Sequence, residues 1–169
     1  MMGRGALPDP IVHHHQLGNG RHALETVTHF LLPVEEVFPF FCDVQNLERI
    51  TPPELAFRVL TPRPVAIGLD TLVDYRMGLF GIPFGWRSRI STWEPPLCFV
   101  DEQLRGPYHS WIHRHTFEAV ADGTRMTDRV DYRLPLHPVS GVALPLVRRQ
   151  LNRIFVFRGR TIRRLLAQQ

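Results

Sequence analysis

Six short runs of strand-forming residues follow one another through residues 55–134, each closed by a turn signal. They read LAFRVL (55–60), DTLVDYRM (70–77), FGWRSRISTW (84–93), CFVDEQLR (98–105), HSWIHRHTFEAV (109–120) and TRMTDRVDYRL (124–134). The breaks fall at 62–64, 78–81, 95–96, 106–107 and 122–123, where proline, glycine or Asp-Gly interrupts the pattern. Connections this short leave no room for crossover helices, so the spacing favours an antiparallel meander.

What flanks the meander completes the architecture. HALETVTHFLL (22–32) is a seventh run, with Leu24, Val27 and Phe30 among its apolar residues. Pro33 closes it and opens a short helix VEEVFPFFC (34–42), which Pro39 interrupts; Asp43 is placed to cap a second short helix, VQNLERI (44–50). After the last run the period changes. Pro145 suits a first helical turn, and Val147, Leu151, Ile154, Phe155, Ile162 and Leu165 recur at three- to four-residue spacing, with Arg158 in register between them. The predicted fold is α+β: a curved antiparallel sheet of about seven strands, two short helices after the first strand, and a long C-terminal helix laid across the hollow side. Residues 1–21, which include the histidine run His13, His14 and His15, read as a flexible tail, and 22–169 as a single domain.

Composition narrows the classes. With 44% hydrophobic and 21% charged residues the chain can bury a core, and it has no apolar run of membrane-spanning length. The N-terminus lacks a secretory pattern, and Cys42 and Cys98 form no CxxC, so a reduced, cytoplasmic setting is expected. All twenty basic residues are arginine, and seven of them fall in 135–169, where there is no acid; the rest of the chain is net −3. Basic character confined to one helix argues against nucleic acid, which calls for cationic residues on several elements. Arg148, Arg149, Arg153, Arg160, Arg163 and Arg164 are expected to face water, offering at most a weak electrostatic contact to an anionic membrane or acidic partner.

The chemistry concentrates in YHSWIHRHTF (108–117). If Asp122 and Gly123 form a two-residue hairpin loop, Phe117 pairs with Asp128, His115 with Val130, His113 with Tyr132 and Trp111 with Leu134. Side chains alternate along a strand, so these residues share one face with Met126. The opposite face carries Arg114, Thr116, Glu118, Arg125, Arg129, Asp131 and Arg133 and must meet water. His113, His115, Asp128 and Tyr132 therefore go inward with Trp111 and Phe117. Inward polar groups need partners, and three readings are open: a satisfied set of core polar residues, the lining of a ligand cavity, or a metal site. His-x-His on a strand can chelate, but the sequence fixes no third ligand. Asp101 or Glu102 from the preceding run could join, depending on register.

The block FVDEQLRGPYHSWIHRHTFEAVADGTRMTDRVDYRLP (99–135) resembles the most recognisable part of the SRPBCC, or START-like, superfamily. That group includes birch-pollen-allergen type proteins, lipid-transfer START domains, polyketide cyclase/dehydrase-like proteins and coenzyme Q-binding proteins. PVEEVFPFFCDVQNLERITPP (33–53) resembles its two small helices and IFVFRGRTIRRLL (154–166) its final helix. The resemblance implies a helix-grip fold around an internal cavity that holds apolar or amphipathic molecules, with catalysis in some branches only. The expected protein is thus a carrier or sensor of a lipid, quinone or polyketide-like compound. Trp111, Phe117, Met126, Tyr132, Leu151, Ile154 and Phe155 would supply apolar wall, and His113, His115 and Asp128 would orient a polar head. No cofactor and no metal are expected. The alternative is a cyclase, dehydratase or hydrolase in which His115 and Asp128 act as an acid–base pair; no nucleophile motif such as GxSxG accompanies them.

Overall fold

A computed structural model describes residues 8–79 and 81–168. Its strands are β1 (Val12–Gly18), β2 (Arg21–Phe30), β3 (Arg58–Val59), β4 (Leu72–Leu79), β5 (Ile82–Glu94), β6 (Cys98–Arg105), β7 (Ser110–Val120) and β8 (Gly123–Arg133). Its helices are α1 (Val34–Cys42), α2 (Gln45–Ile50) and α3 (Leu144–Leu166). All eight strands form one antiparallel sheet in the order β1-β2-β8-β7-β6-β5-β4-β3. The meander runs from β3 to β8, and β2 then pairs with β8, so α1 and α2 carry the chain from one side of the sheet to the other. Register shifts in β5, between Arg87 and Ser88 and between Ile90 and Thr92, add local twist and help the sheet curl around α3.

Two groups of side chains fill part of the hollow. Phe30, Val37, Phe38, Phe99, Phe117, Met126, Ile162 and Leu166 pack where α1 meets the sheet and the end of α3. Leu24, Val130, Tyr132, Leu134, Leu151 and Phe155 join β2 and β8 to the middle of α3. Phe117 sits edge-on to Phe38 and Phe41 at ring separations of 5.2 and 5.1 Å, a geometry that adds roughly 0.5–1.5 kcal/mol per pair to simple burial.

Five expectations need correction. The segment 12–18 is a strand, not tail: it pairs with β2, and His14 Nε2 lies 2.7 Å from Asn152 Oδ1 on α3. Further back, Arg163 donates to the Pro8 carbonyl and Arg160 pairs with Asp9, while residues 1–7 lie outside the described residues. Edge pairing satisfies backbone groups of β2 that would otherwise be open, and it makes the sheet eight-stranded. LAFRVL yields only the two-residue β3, because Pro53–Leu55 turns as a 3₁₀ helix and Ala56 takes φ +43°. The helix α1 runs through Pro39, held by burial of Val34, Val37, Phe38 and Phe40. Val44, not Asp43, takes the N-cap of α2; Asp43 supports the helix from one residue further out, its Oδ1 accepting the Gln45 N–H at 2.9 Å.

The fifth correction is the hairpin register. Val120 pairs with Gly123, so the loop is Ala121–Asp122 and partners are displaced by two from expectation: Phe117 faces Met126, His115 faces Asp128, His113 faces Val130 and Trp111 faces Tyr132. A displacement of two keeps every side chain on its predicted face. Gly123 explains it. At φ +143°, with a Cβ position only 2.0 Å from the Phe30 carbonyl oxygen, this glycine is required inside the ladder against β2 rather than at the turn. Gly123→Ala is expected to cost about 1 kcal/mol or more, read as a lower urea midpoint with unchanged slope; an unchanged midpoint would refute this account of the register.

On α3, Arg149, Arg153, Arg160 and Arg164 are exposed and Arg148 and Arg163 are half-buried. Arg153 is already paired with Glu54 at 2.8 Å, and Arg160 with Asp9, which reduces the free charge on this face. Among the described residues no helix is long and apolar enough to cross a membrane.

Candidate functional site

Packing leaves the β4–β7 side of the hollow unfilled. A cavity of about 410 Å³ lies there between the sheet, α2 and α3. Its wall is largely apolar: Val73, Trp86, Ile90 and Phe99 from the sheet, Leu47 and Ile50 from α2, and Leu151, Ile154 and Phe155 from α3. This volume falls within the usual range for small-molecule sites, about 300–1,000 Å³.

Trp111, His113, His115, Leu151, Ile154 and Phe155, expected at the cavity, do line it. Phe117, Met126, Asp128 and Tyr132 point to the same side of the sheet and are buried, but they are not part of this wall. The reason is what covers them. Phe117 and Met126 lie in the apolar group packed by α1, and Tyr132 is screened by the rings of Tyr108 and Trp111, 5.9 and 6.1 Å away. Asp128 stands behind the two imidazoles. Val73 and Tyr75 of β4 and Trp86 and Ser88 of β5 line the cavity and escaped sequence reading, while Asp101 of β6, left open there against Glu102, and Arg158 of α3, noted only as lying on the apolar stripe, also line it. Period-two alternation in DTLVDYRM and FGWRSRISTW, applied as it was to the hairpin, identifies the β4 and β5 residues.

The polar part of the wall spans three neighbouring strands. On β7, His113 and His115 project inward two residues apart, with ring centres at 3.9 Å. The β6 register sets Asp101 opposite His113, and the β8 register sets Asp128 opposite His115. This resolves the choice in β6: Asp101 faces in, while Glu102 pairs with Arg89 on the other face at 3.3 Å. Asp128 Oδ1 accepts from His113 Nε2 at 2.9 Å and lies 2.7 Å from His115 Nδ1. The second contact is off the N–H axis and leaves that nitrogen without a proper hydrogen bond, so it acts through charge. On the cavity side, Asp101 Oδ1 is 3.4 Å from His115 Nε2 and 3.6 Å from His113 Nδ1. Trp86 Nε1 donates to Ser88 Oγ at 3.1 Å, and Ser88 Oγ contacts Asp101 Oδ2 at 3.5 Å. His115 also stacks on Phe99, centres 4.2 Å apart.

Burial and pairing push the two imidazoles in opposite directions. Burial holds His113 neutral, moving it down to about 4, and the adjacent His115 adds to this. Burial also opposes charge on His115, but its contacts with Asp101 and Asp128 outweigh that and raise it. Burial would raise both carboxyls; hydrogen bonds and charge from the histidines instead hold Asp101 and Asp128 below the ordinary carboxylate value. Arg158 adds a cation to the wall: its charge is felt at Asp101 and His115, its guanidinium lies 6.0 Å from the centre of the Phe155 ring, and its buried Nε has no hydrogen-bond partner among the described residues.

A curved antiparallel sheet gripping a C-terminal helix over an apolar cavity defines the helix-grip class. The chain belongs to the family described as polyketide cyclase / dehydrase and lipid transport, whose model matches residues 32–156. No curated protein matches it. Among solved structures it is similar to protein Ms6760 from Mycobacterium smegmatis, at 19% identity over 95% of this chain and 99% of that one, with a TM-score of 0.68. It is similar also to Ara h 8.0201, at 14% identity over 89% and 100% of the two chains, TM-score 0.60. The di-domain ARO/CYC StfQ from the steffimycin biosynthetic pathway aligns at 12% identity over 86% of this chain and 51% of that one, TM-score 0.63. At these identities the likeness is one of fold.

Proposed function

We propose that this protein binds one hydrophobic or amphipathic small molecule, of lipid, quinone or polyketide-like character, and holds it without converting it. The observation that carries this reading is the division of a single cavity into an extensive apolar wall and one compact polar patch. The apolar body of a ligand would lie against Trp86, Trp111, Leu151, Ile154 and Phe155. A polar head would sit among Ser88, Asp101, His113, His115 and Arg158. The cavity reaches the segment before α3 and the first turn of that helix: Ser140, Ala143 and Val147 line it, while Val139, Val142 and Leu146 are exposed. The lipid-transport and polyketide-cyclase character of the family, and the fold shared with StfQ of a biosynthetic pathway, support an apolar or polyketide-like ligand.

The acid–base alternative keeps one supporting feature, the 2.7 Å contact between His115 Nδ1 and Asp128 Oδ1. Asp128 lies outside the cavity lining, however, so it could act only through the imidazoles. Native mass spectrometry and organic extraction of freshly purified protein should recover one ligand class, and fluorescent anilinonaphthalene sulfonate should bind one-to-one and be displaced by it. His115→Gln should weaken the recovered ligand by at most the value of one charged hydrogen bond, about 1.5–3 kcal/mol, and wild type should leave it chemically unchanged. Conversion by wild type, abolished in His115→Gln without loss of binding, would replace the carrier reading with the enzymatic one.

A further inference from the structure

We propose that His113, His115 and Asp101 form a binding site for one divalent transition-metal ion, with its remaining coordination positions open to the cavity. The sequence offered His-x-His without a third ligand; the β6–β7 register supplies it. One nitrogen from each histidine and one oxygen from Asp101 lie within 4.8 Å of one another. The atoms left on the cavity side, once Asp128 has engaged His113 Nε2 and His115 Nδ1, are His113 Nδ1 and His115 Nε2. They stand 3.6 and 3.4 Å from Asp101 Oδ1. Bonds of about 2.0–2.2 Å in a tetrahedral zinc site place neighbouring ligand atoms roughly 3.3–3.6 Å apart, so two edges of the coordination polyhedron are already set.

The surroundings match what such a site needs. A ligating imidazole ordinarily gives its other nitrogen to a carboxylate, which fixes tautomer and ring direction. Asp128 does this for His113 at 2.9 Å and stands 2.7 Å from the rear nitrogen of His115. With Nε2 of His113 donating to Asp128, the Nδ1 lone pair is turned toward the Asp101 carboxylate, an arrangement that a cation between them would relieve. Both histidines are almost fully buried and the three ligands come from adjacent strands of one sheet, so the geometry needs little ordering. Two histidines and one carboxylate with open positions suit zinc or iron(II) rather than calcium or magnesium, which prefer oxygen donors. The open positions would face the apolar space, where an oxygen of a bound molecule could complete the coordination. This goes beyond the carrier reading and does not depend on which ligand is carried.

The run His13, His14 and His15 is a separate matter. On β1 its side chains alternate, His14 turning to Asn152 while His13 and His15 are exposed, so the three cannot converge on one ion. For the test all three are replaced by alanine, and full-length metal-free protein is dialysed against zinc or cobalt(II). Elemental analysis is expected to give one ion per chain, and cobalt(II) should show the intense visible bands of a low-coordinate nitrogen–oxygen site. Asp101→Asn and His115→Gln should lower zinc affinity by about 100-fold or more, and Asp128→Asn by about 10–100-fold, the usual effect of losing an orienting partner. Near-UV circular dichroism checks that each variant is folded, and the cobalt spectrum of the unsubstituted site needs no variant at all. Absence of stoichiometric uptake, or uptake untouched in folded Asp101→Asn, would overturn the site. Anilinonaphthalene sulfonate bound to the same metal-free sample reads the cavity independently, so loss of the metal site and loss of the carrier reading are separable results.

Discussion

Replacing Asp128 by alanine should destabilise the protein by about 3–5 kcal/mol, the range for breaking a buried ionic group by removing one partner. Asp128 is 4% exposed. Its Oδ1 is the acceptor for His113 and the nearest negative charge to His115 Nδ1. Without it, His113 Nε2 becomes a buried donor with no acceptor, and His115 loses one of the two carboxylates that hold its charge. Two imidazoles with centres 3.9 Å apart would then meet without an anion behind them. For a chain of this length the loss corresponds to a drop in thermal midpoint on the order of 10 °C. Asp128→Asn keeps an oxygen acceptor and the shape, so it should cost less, about 1–3 kcal/mol. A thermal melt of Asp128→Ala that overlays wild type would show that the cluster is not the buried, interdependent unit described here.

The second large effect concerns the cavity itself. Ile154 lies on the face of α3 that lines the empty space, and tryptophan there should extend into the cavity rather than into packed neighbours. Because the added ring fills space, stability should change little. Overpacking in a filled core would instead cost about 1–3 kcal/mol. A probe such as anilinonaphthalene sulfonate would lose contact area on the order of 80 Å², worth about 2 kcal/mol, or roughly thirty-fold in affinity. Leu146→Trp, at a half-exposed position on the same helix, is the control and should leave the probe unaffected. Unchanged probe affinity in Ile154→Trp, with the fold intact, would place the probe elsewhere and remove the cavity as the binding site.

Much of the site was legible because strand periodicity is local. The alternation in HSWIHRHTFEAV and TRMTDRVDYRL puts His113, His115, Asp128 and Tyr132 inward whatever the rest of the chain does. That assignment survived a hairpin register displaced by two residues, since the displacement preserves parity. A displacement of one would have turned every one of them to solvent. The long amphipathic helix was equally local, its apolar stripe being set by spacing alone. In the β1 segment the same reasoning faltered: VHHHQLG has no apolar alternation, and only pairing with β2 and the His14–Asn152 contact make it a strand.

Residue order was thus enough for the succession of elements, the antiparallel meander, the inward face of the β7–β8 hairpin and the helix face that meets it. Those follow from side-chain direction within a single element. Which inward residues meet a cavity and which meet a core emerges only when the elements are assembled. Phe117 and Met126 look inward as His113 and His115 do, yet α1 covers the first pair while the second lines the cavity. Assembly also selects Asp101 rather than Glu102 as the partner of the histidines, because that choice rests on the register between β6 and β7. It brings Arg158 into the wall through the rotation of α3 over the sheet. Register and rotation are set by the fit of elements distant in sequence. No local pattern encodes the volume left between them.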